Sequence, residues 1–406
     1  MTSKLLLFDE VERDYFGPSG YSEPRYAFLN RAARPFFDLI RQTLQEWFDH
    51  FAAEEKKREN LSHLFRSENN TEHLGAFFEL YLHQLMTQLG FKVEVEPEWP
   101  SAQPDFLLTA STGQQILLEA TSTFPSIMFG SKKVLENLIL DEIDKRVNSP
   151  DFFLNVHINH APEGDPPYAR MCRFIEKELA KLDPDQIIDE YLASGKREVH
   201  PRIPWNYESW DIEIVVSPKK QEARGKTGIR PIGSITTVEM VDPVSSIRES
   251  IKSKYKKFGD KSELPPYLIA LNIHNDGTDD EDVFSALFGT EVTRVFLQES
   301  GPDQIIPGRE LDGSWFSARG FQKTRISGLI VFKGLTPSQI GFRSPILWHH
   351  PAANKPLDST LWRLDQKIPD EELRQYKMIR GEQAPDLLKI DREKLTRLAS
   401  EKYPRS

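Results

Sequence analysis

Residues 103–122, QPDFLLTASTGQQILLEATS, limit the fold more than any other part of the chain. They contain two apolar runs of strand length, and a Ser-Thr-Gly turn separates these runs. Such a pattern predicts two antiparallel strands joined by a hairpin. The segment before them, FKVEVEPEW, alternates apolar and polar residues with a period of two. It predicts one more strand, so we expect a three-stranded meander.

Each of the two runs carries one carboxylate, Asp105 in the first and Glu119 in the second. A carboxylate in an apolar strand costs several kcal/mol unless it is paired or binds a cation. Facing side chains on adjacent antiparallel strands lie about 5 Å apart. The pair therefore predicts a shared divalent cation, with Glu79 of the preceding helix as a third oxygen ligand. A purely structural interpretation stays open, in which Asp105 starts a strand, Glu119 pairs with an arginine and Glu79 is solvated.

Helical patterns lie on both sides of the predicted strands. Residues 1–70 carry apolar side chains at three- and four-residue intervals, which predicts a helical N-terminal arm. A helix with a broad apolar face follows, and Asn70 or Thr71 is its expected cap. Further along, a helix is predicted over 243–258 and a buried apolar strand over 266–275.

Composition and charge exclude several classes of protein. The chain of 406 residues is 38% hydrophobic, which suits one elaborated domain or several. A single cysteine, Cys172, excludes an internal disulfide framework and a cysteine-rich zinc site. Neither a membrane-spanning run of roughly 20 apolar residues nor a signal peptide is evident, so we expect a cytoplasmic protein without membrane contacts. At a net charge of −10, contact with nucleic acid requires local basic patches.

The order of these motifs resembles that of the PD-(D/E)XK restriction-endonuclease-like superfamily. In that family a helix with a glutamate precedes a hairpin whose strands read PD and E-x-x. The matching residues are Glu79, then Pro104 and Asp105, then Glu119, Ala120 and Thr121. The resemblance covers residues 71–122 and extends to 244–275 as the second core helix and the fourth strand. It implies an α/β fold with a restriction-endonuclease-like core of helix, three-stranded meander, long insertion, helix and strand.

This resemblance divides the chain into three parts. The helical N-terminal arm occupies residues 1–70, and the nuclease-like core occupies residues 71–275. The insertion lies within this core, at about residues 123–231. An α/β C-terminal extension, residues 276–406, is expected to pack on the core.

The third motif position departs from the family pattern. It is normally lysine, and here it is Thr121, whose neutral hydroxyl cannot replace an ammonium group. Either the site has lost its activity or the lysine comes from elsewhere. Family members are known to carry this lysine on the second core helix, where this chain has KSKYKK. At about 100° per residue, Lys254 lies roughly 60° from the centre of the apolar stripe that runs from Val244 to Phe258, and the other lysines lie further round. The resemblance thus implies Lys254 as the catalytic lysine beside Asp105 and Glu119.

Two basic stretches are candidates for contact with DNA phosphates. The predicted nucleic-acid-binding residues are Lys219, Lys220, Arg224, Lys226, Arg230, Lys252, Lys256 and Lys257. Lysines near the end of a helix are also explained by solvation or by the helix dipole, so a structural interpretation of KSKYKK stays open.

The resemblance implies a nuclease that hydrolyses DNA phosphodiesters, with bacterial defence or repair as its expected setting. Glu79, Asp105 and Glu119 would hold Mg²⁺, or Mn²⁺ in its place. Thr121 and the acidic net charge favour an alternative, which is a catalytically silent nuclease-fold module that binds DNA or a protein partner. The sequence leaves open whether the substrate is DNA or RNA, and it leaves the oligomeric state open as well.

Overall fold

The computed structural model describes residues 4–99, 102–124, 131–162, 164–195, 199–226, 230–232, 242–257, 264–275, 277–296, 304–370 and 376–401. These residues belong to two compact units. Unit 1 contains the described residues within 4–15, 24–124 and 242–401, and unit 2 contains those within 16–23 and 131–232. Unit 2 thus occupies the region in which the sequence predicts an insertion.

Four helices precede the first strand: α1 (Arg25–Arg31), α2 (Pro35–Asp49), α3 (Glu55–Phe65) and α4 (Asn70–Gln88). The spacing of the apolar residues of α2 places Ile40, Leu44 and Phe48 on one side, where all three are fully buried. They share a core with α4 and with the main sheet. The N-terminal region is therefore helical as predicted, but it is part of the core of unit 1 and not an arm outside it.

Helix α4 carries Glu79. Its N-cap is Asn69, one residue before the first of the two expected caps, and the Asn69 side chain accepts a hydrogen bond from the Thr71 N–H at 2.9 Å. Beyond the end of the helix, Gly90 has a φ of 96°, which suits glycine and stops the helix. The three-residue step to the next strand is therefore short, and it ties α4 closely to the meander.

The strands β1 (Lys92–Val95), β2 (Phe106–Thr109) and β3 (Gln115–Thr123) form the antiparallel meander. In the turn between β2 and β3, Gly113 has a φ of 84°, a left-handed conformation that glycine adopts at little cost. The register pairs Phe106 with Leu118. The neighbouring residues in this register, Asp105 and Glu119, therefore lie opposite each other.

Unit 2 contains helix α5 (Ser131–Arg146), strand β4 (Phe152–His160), helices α6 (Tyr168–Leu179) and α7 (Pro184–Ser194), and strands β5 (Arg202–Tyr207) and β6 (Trp210–Pro218). Strand β6 lies between β4 and β5 in an antiparallel sheet. Every second residue of β6 is fully buried, namely Ile212, Ile214 and Val216. This unit therefore has a hydrophobic core of its own.

The remaining elements of unit 1 begin with α8 (Pro243–Lys257), β7 (Tyr267–Ile273), α9 (Asp280–Phe288), β8 (Glu291–Phe296), β9 (Gln304–Arg309), β10 (Phe316–Ser317) and β11 (Gly320–Phe321). They continue with β12 (Ile326–Lys333), β13 (Ile346–His349), β14 (Asp365–Pro369), β15 (Tyr376–Ile379), α10 (Ala384–Leu387) and α11 (Arg392–Ser400). Phe258, the predicted end of the apolar stripe of α8, lies outside the described residues. In the part of the chain that the structure describes, no helix combines the length and the apolarity needed to cross a membrane.

Eight of the described strands form the main sheet of unit 1, in the order β1-β2-β3-β7-β12-β13-β14-β15. Strand β7 is parallel to both of its neighbours, β3 and β12, while β12 and β13 are antiparallel. Strands β13 and β14 are again parallel, and β15 is antiparallel to β14. The predicted α/β class is confirmed. The C-terminal strands continue the sheet of the core instead of forming a separate extension packed on it.

The two faces of the sheet bury different helices, because successive residues of a strand point to opposite sides. One face shares a core with α4, and this core includes Leu118, Leu268, Phe77 and Phe78. The other face shares a core with α8, and this core includes Leu117, Ile269, Ile247 and Ile251. Glu119 is two residues after Leu117, so its side chain lies on the face that α8 covers.

Candidate functional site

Asp105, Glu119 and Lys254 meet at one point in unit 1. Lys254 Nζ donates to Glu119 Oε2 at 2.7 Å and to Asp105 Oδ2 at 3.4 Å. The strand register places the two carboxylates opposite each other, and α8 places the lysine over them. The structure therefore brings together the three residues that the sequence predicts as catalytic.

Asp105 lies immediately before β2 and is half-buried. Its Oδ2 accepts a hydrogen bond from the Ala120 N–H at 2.7 Å, which fixes the carboxylate against the neighbouring strand. An asparagine at this position retains an oxygen that can accept the same hydrogen bond. The charge of Asp105 can thus be removed without removing this contact.

Glu119 is the most enclosed group of the site, with 0% of the residue exposed. Burial raises the pKa of its carboxyl and the charge of Asp105 adds to the rise, while Lys254 and Lys257 act in the opposite direction. Among the residues that the structure describes, the ion-pair partners of Glu119 are lysines and not the arginine of the structural interpretation. A carboxylate this deeply buried requires such partners, because removing them leaves an uncompensated charge.

Lys254 is partly buried, and its position in α8 is supported by Tyr267 of β7, whose hydroxyl donates to the Lys254 carbonyl oxygen at 3.0 Å. Burial alone would lower the pKa of the ammonium group. The charges of Asp105 and Glu119 outweigh burial and raise it. Lys254 therefore carries its positive charge at neutral pH.

Lys257 is a fourth member of the site, although the sequence predicts it as a phosphate contact. Its Nζ donates to Glu119 Oε1 at 2.6 Å and lies 3.5 Å from Asp105 Oδ1. Residues three apart in a helix are neighbours on its surface, so Lys257 follows Lys254 toward the same carboxylates. This spacing was a usable signal in the sequence. The angle of Lys257 from the apolar stripe wrongly indicated that it points away from the sheet, because a long lysine side chain reaches back across the helix surface.

Glu79 lies on α4, the helix on the other face of the sheet. It is half-buried, and its carboxylate makes no hydrogen bond or ion pair with any described residue. Burial raises the pKa of Glu79 to about 8, and the charges of Asp105 and Glu96 contribute to the rise. Glu79 thus interacts electrostatically with the groups of the site, but it does not contact its lysines.

The other seven predicted phosphate contacts divide into two groups. Three of them bind other residues of unit 2. Lys219 is 1% exposed and donates to the Ser149 carbonyl oxygen. Arg224 forms an ion pair with Asp185, and Arg230 forms one with Asp144. The prediction of Lys219 as a surface contact is wrong, because its ammonium group is enclosed. The residues that are exposed are Lys220, Lys226, Lys252 and Lys256.

No family model, no curated protein and no solved structure matches this chain. The chemistry of the site is therefore defined by its own groups. Two carboxylates and two ammonium groups balance in charge, and the charges of the site act on the carboxyl group of Glu79. Hard oxygen donors bind divalent cations, and a fixed ammonium group stabilises negative charge that develops on a phosphate.

Proposed function

We propose that this protein is a metal-dependent nuclease that hydrolyses DNA phosphodiesters in the cytoplasm, in bacterial defence or repair. The observation that carries the proposal is the contact of Lys254 Nζ with both Asp105 and Glu119. A lysine beside two converging carboxylates is the chemistry expected of a PD-(D/E)XK site whose lysine has moved to the second core helix. The order α4, β1, β2, β3, α8, β7, with β7 parallel to β3, supports a restriction-endonuclease-like core.

The residues present fit a divalent cation by their donor chemistry. Asp105 and Glu119 offer hard oxygen ligands, and Glu79 is a half-buried carboxyl without a hydrogen-bond partner among the described residues. Among those residues no three acidic, histidine or cysteine side chains are already arranged around one point. Glu79 would therefore have to move toward the other two carboxylates to complete the ligand set.

Each group of the chain has a defined task in this proposal. Mg²⁺ or Mn²⁺, when bound, supplies Lewis acidity that polarises a phosphodiester and makes water more acidic. Lys254 offsets the negative charge that develops on the phosphate during attack by water, and its two carboxylate contacts hold the ammonium group in place. The hydrogen bond from Ala120 holds Asp105. Exposed lysines on α8, Lys252 and Lys256, contact flanking phosphates.

A second candidate function is a silent module that binds DNA or a protein partner. The observation that favours it is the occupation of both Glu119 oxygens by ammonium groups, at 2.7 Å and 2.6 Å. A chain that had lost its metal could retain this arrangement as a purely structural ion-pair network. Measurement of nuclease activity separates the two candidates.

The decisive experiment is cleavage of plasmid DNA, single-stranded DNA and RNA with Mg²⁺ or Mn²⁺. The Asp105→Asn variant should lose at least about 100-fold in cleavage rate, because a charged ligand is removed. Its thermal midpoint should stay close to that of wild type, because the asparagine still accepts from Ala120. Asp14→Asn, at an exposed position, is the matched control and should cleave as wild type does.

Two results would contradict the proposal in different ways. If wild type cleaves none of these substrates with either metal, the silent module is the better function. If Asp105→Asn cleaves as fast as wild type, the activity belongs to another site.

A further inference from the structure

Both oxygens of each carboxylate in the site have an ammonium group beside them. Lys254 Nζ contacts Glu119 Oε2 and Asp105 Oδ2, at 2.7 Å and 3.4 Å. Lys257 Nζ contacts the other two oxygens, Glu119 Oε1 and Asp105 Oδ1, at 2.6 Å and 3.5 Å. Each lysine therefore bridges the two carboxylates, as a divalent cation would.

A divalent cation cannot enter this arrangement without a rearrangement. With both lysines in place, the charges of Asp105 and Glu119 are already balanced. Two further positive charges would repel the ammonium groups, because like charges only a few ångströms apart near a protein surface interact strongly. One lysine must leave before the metal binds to Asp105 and Glu119.

Lys257 is the lysine that can leave. Its side chain is 30% exposed, whereas that of Lys254 is 20% exposed. The backbone at Lys254 is held by the Tyr267 hydroxyl, and Tyr267 is itself buried in β7. Lys257 is three residues further along α8, in the last turn that the structure describes.

We propose that Lys257 is a built-in competitor of the metal: its ammonium group occupies the position between Asp105 and Glu119 and must be displaced before a divalent cation binds there. This inference rests on the proposed function, and it concerns the regulation of the same site. The apparent affinity for metal is reduced in proportion to the fraction of molecules in which Lys257 is displaced. Lys257 thus sets the metal concentration at which the site becomes competent, while Lys254 stays with the carboxylates.

The test is direct titration of the full-length protein with Mn²⁺ by calorimetry, after removal of metal with EDTA. Lys257→Gln should bind Mn²⁺ about tenfold more tightly than wild type, the change expected from losing a competing contact worth about 1.4 kcal/mol. Lys394→Gln is the matched control, because it removes the same charge from an exposed position on another helix of unit 1. It should bind Mn²⁺ with the affinity of wild type.

A second variant covers the case in which Lys257→Gln does not fold. Lys257→Arg keeps the charge and bridges carboxylates with a planar fork, so it should bind Mn²⁺ with an affinity equal to or lower than that of wild type. Circular dichroism and the thermal midpoint establish which variants are folded.

The outcomes separate this inference from the function it rests on. Equal or weaker Mn²⁺ binding by folded Lys257→Gln, or tighter binding by Lys257→Arg, overturns the inference, even if wild type binds Mn²⁺ and cleaves DNA. If neither wild type nor Lys257→Gln binds Mn²⁺, the inference and the metal-dependent function both fall.

Discussion

Glu119 carries a carboxylate that solvent does not reach, in the middle of a β-strand. An ionised carboxylate in such a position is stable only with compensating charge and hydrogen bonds. Lys254 and Lys257 supply both, one on each oxygen. An apolar residue at this position would stabilise the strand without needing two lysines from a helix far along the chain. A carboxylate at this position is therefore a reason to expect a function at the site.

Lys254 is partly buried and Lys256 is exposed. The change of each to alanine should therefore have a different effect. Lys254→Ala should lower the turnover number about 100-fold or more with little change in DNA affinity, as expected for a group that acts mainly in the transition state. Lys256→Ala should weaken DNA binding and lower the salt slope of the binding constant by about 1. Single-turnover kinetics and fluorescence anisotropy at several salt concentrations measure the two effects. Equal losses of affinity in both variants would contradict the assignment of Lys254.

Glu79 makes the stability of the protein depend on pH. Its pKa is raised from 4.5 to about 8 by burial and by Asp105 and Glu96, while Lys254 opposes the rise. Below pH 4.5 the carboxyl is neutral in both the folded and the unfolded chain. As pH rises from 4.5 to 8, only the unfolded chain ionises readily, so folding becomes less favourable.

The Glu79→Gln variant should not lose folding stability in this way as pH rises. We expect it to be as stable as wild type at pH 4 and more stable at pH 8, by roughly 2 kcal/mol in metal-free buffer. Urea unfolding at both pH values measures the difference. The exposed Glu12→Gln variant is the control and should show no such gain. A gain at pH 4 that equals the gain at pH 8 would show that packing, and not ionisation, is responsible.

At the scale of the elements, the sequence predicted the parts whose signal is local. The meander was predictable because the alternation of β1 and the turn at Gly113 are read within a few residues. The pairing of Asp105 with Glu119 follows from that hairpin. Lys254 was predictable as well, since its angle from the apolar stripe of α8 points it toward the sheet.

The parts that could not be predicted depend on contacts between distant segments. Nothing local shows that β12 pairs with β7 and that three more strands then continue the sheet. Nor does the basic stretch after β6 show that Lys219 turns inward to Ser149 while Lys220 stays exposed. The two lysines are adjacent and lie in the same local charge pattern, so only the fold determines which of the two side chains is buried.

At the scale of the whole molecule, two units with separate cores should unfold separately. Ile214 is fully buried in unit 2, and Leu271 is fully buried in unit 1. Either residue changed to alanine should lower the stability of its own unit by about 2–5 kcal/mol. Calorimetry should show two transitions, of which Ile214→Ala lowers one and Leu271→Ala lowers the other. One transition that both variants shift equally would show that the units unfold together.

The bond between Lys254 and Glu119 joins residues that are 135 positions apart in the chain. At a ribosomal rate of about 5–20 residues per second, the lysine is made roughly 7 to 27 s after the glutamate. Strand β7, which pairs with β3 through Glu119 and Ile269, is made later still. During that interval the nascent chain holds a carboxylate and an open strand edge without their partners. The growing polypeptide cannot complete the candidate site until α8 and β7 have been made, and during that time its exposed strand edge favours aggregation.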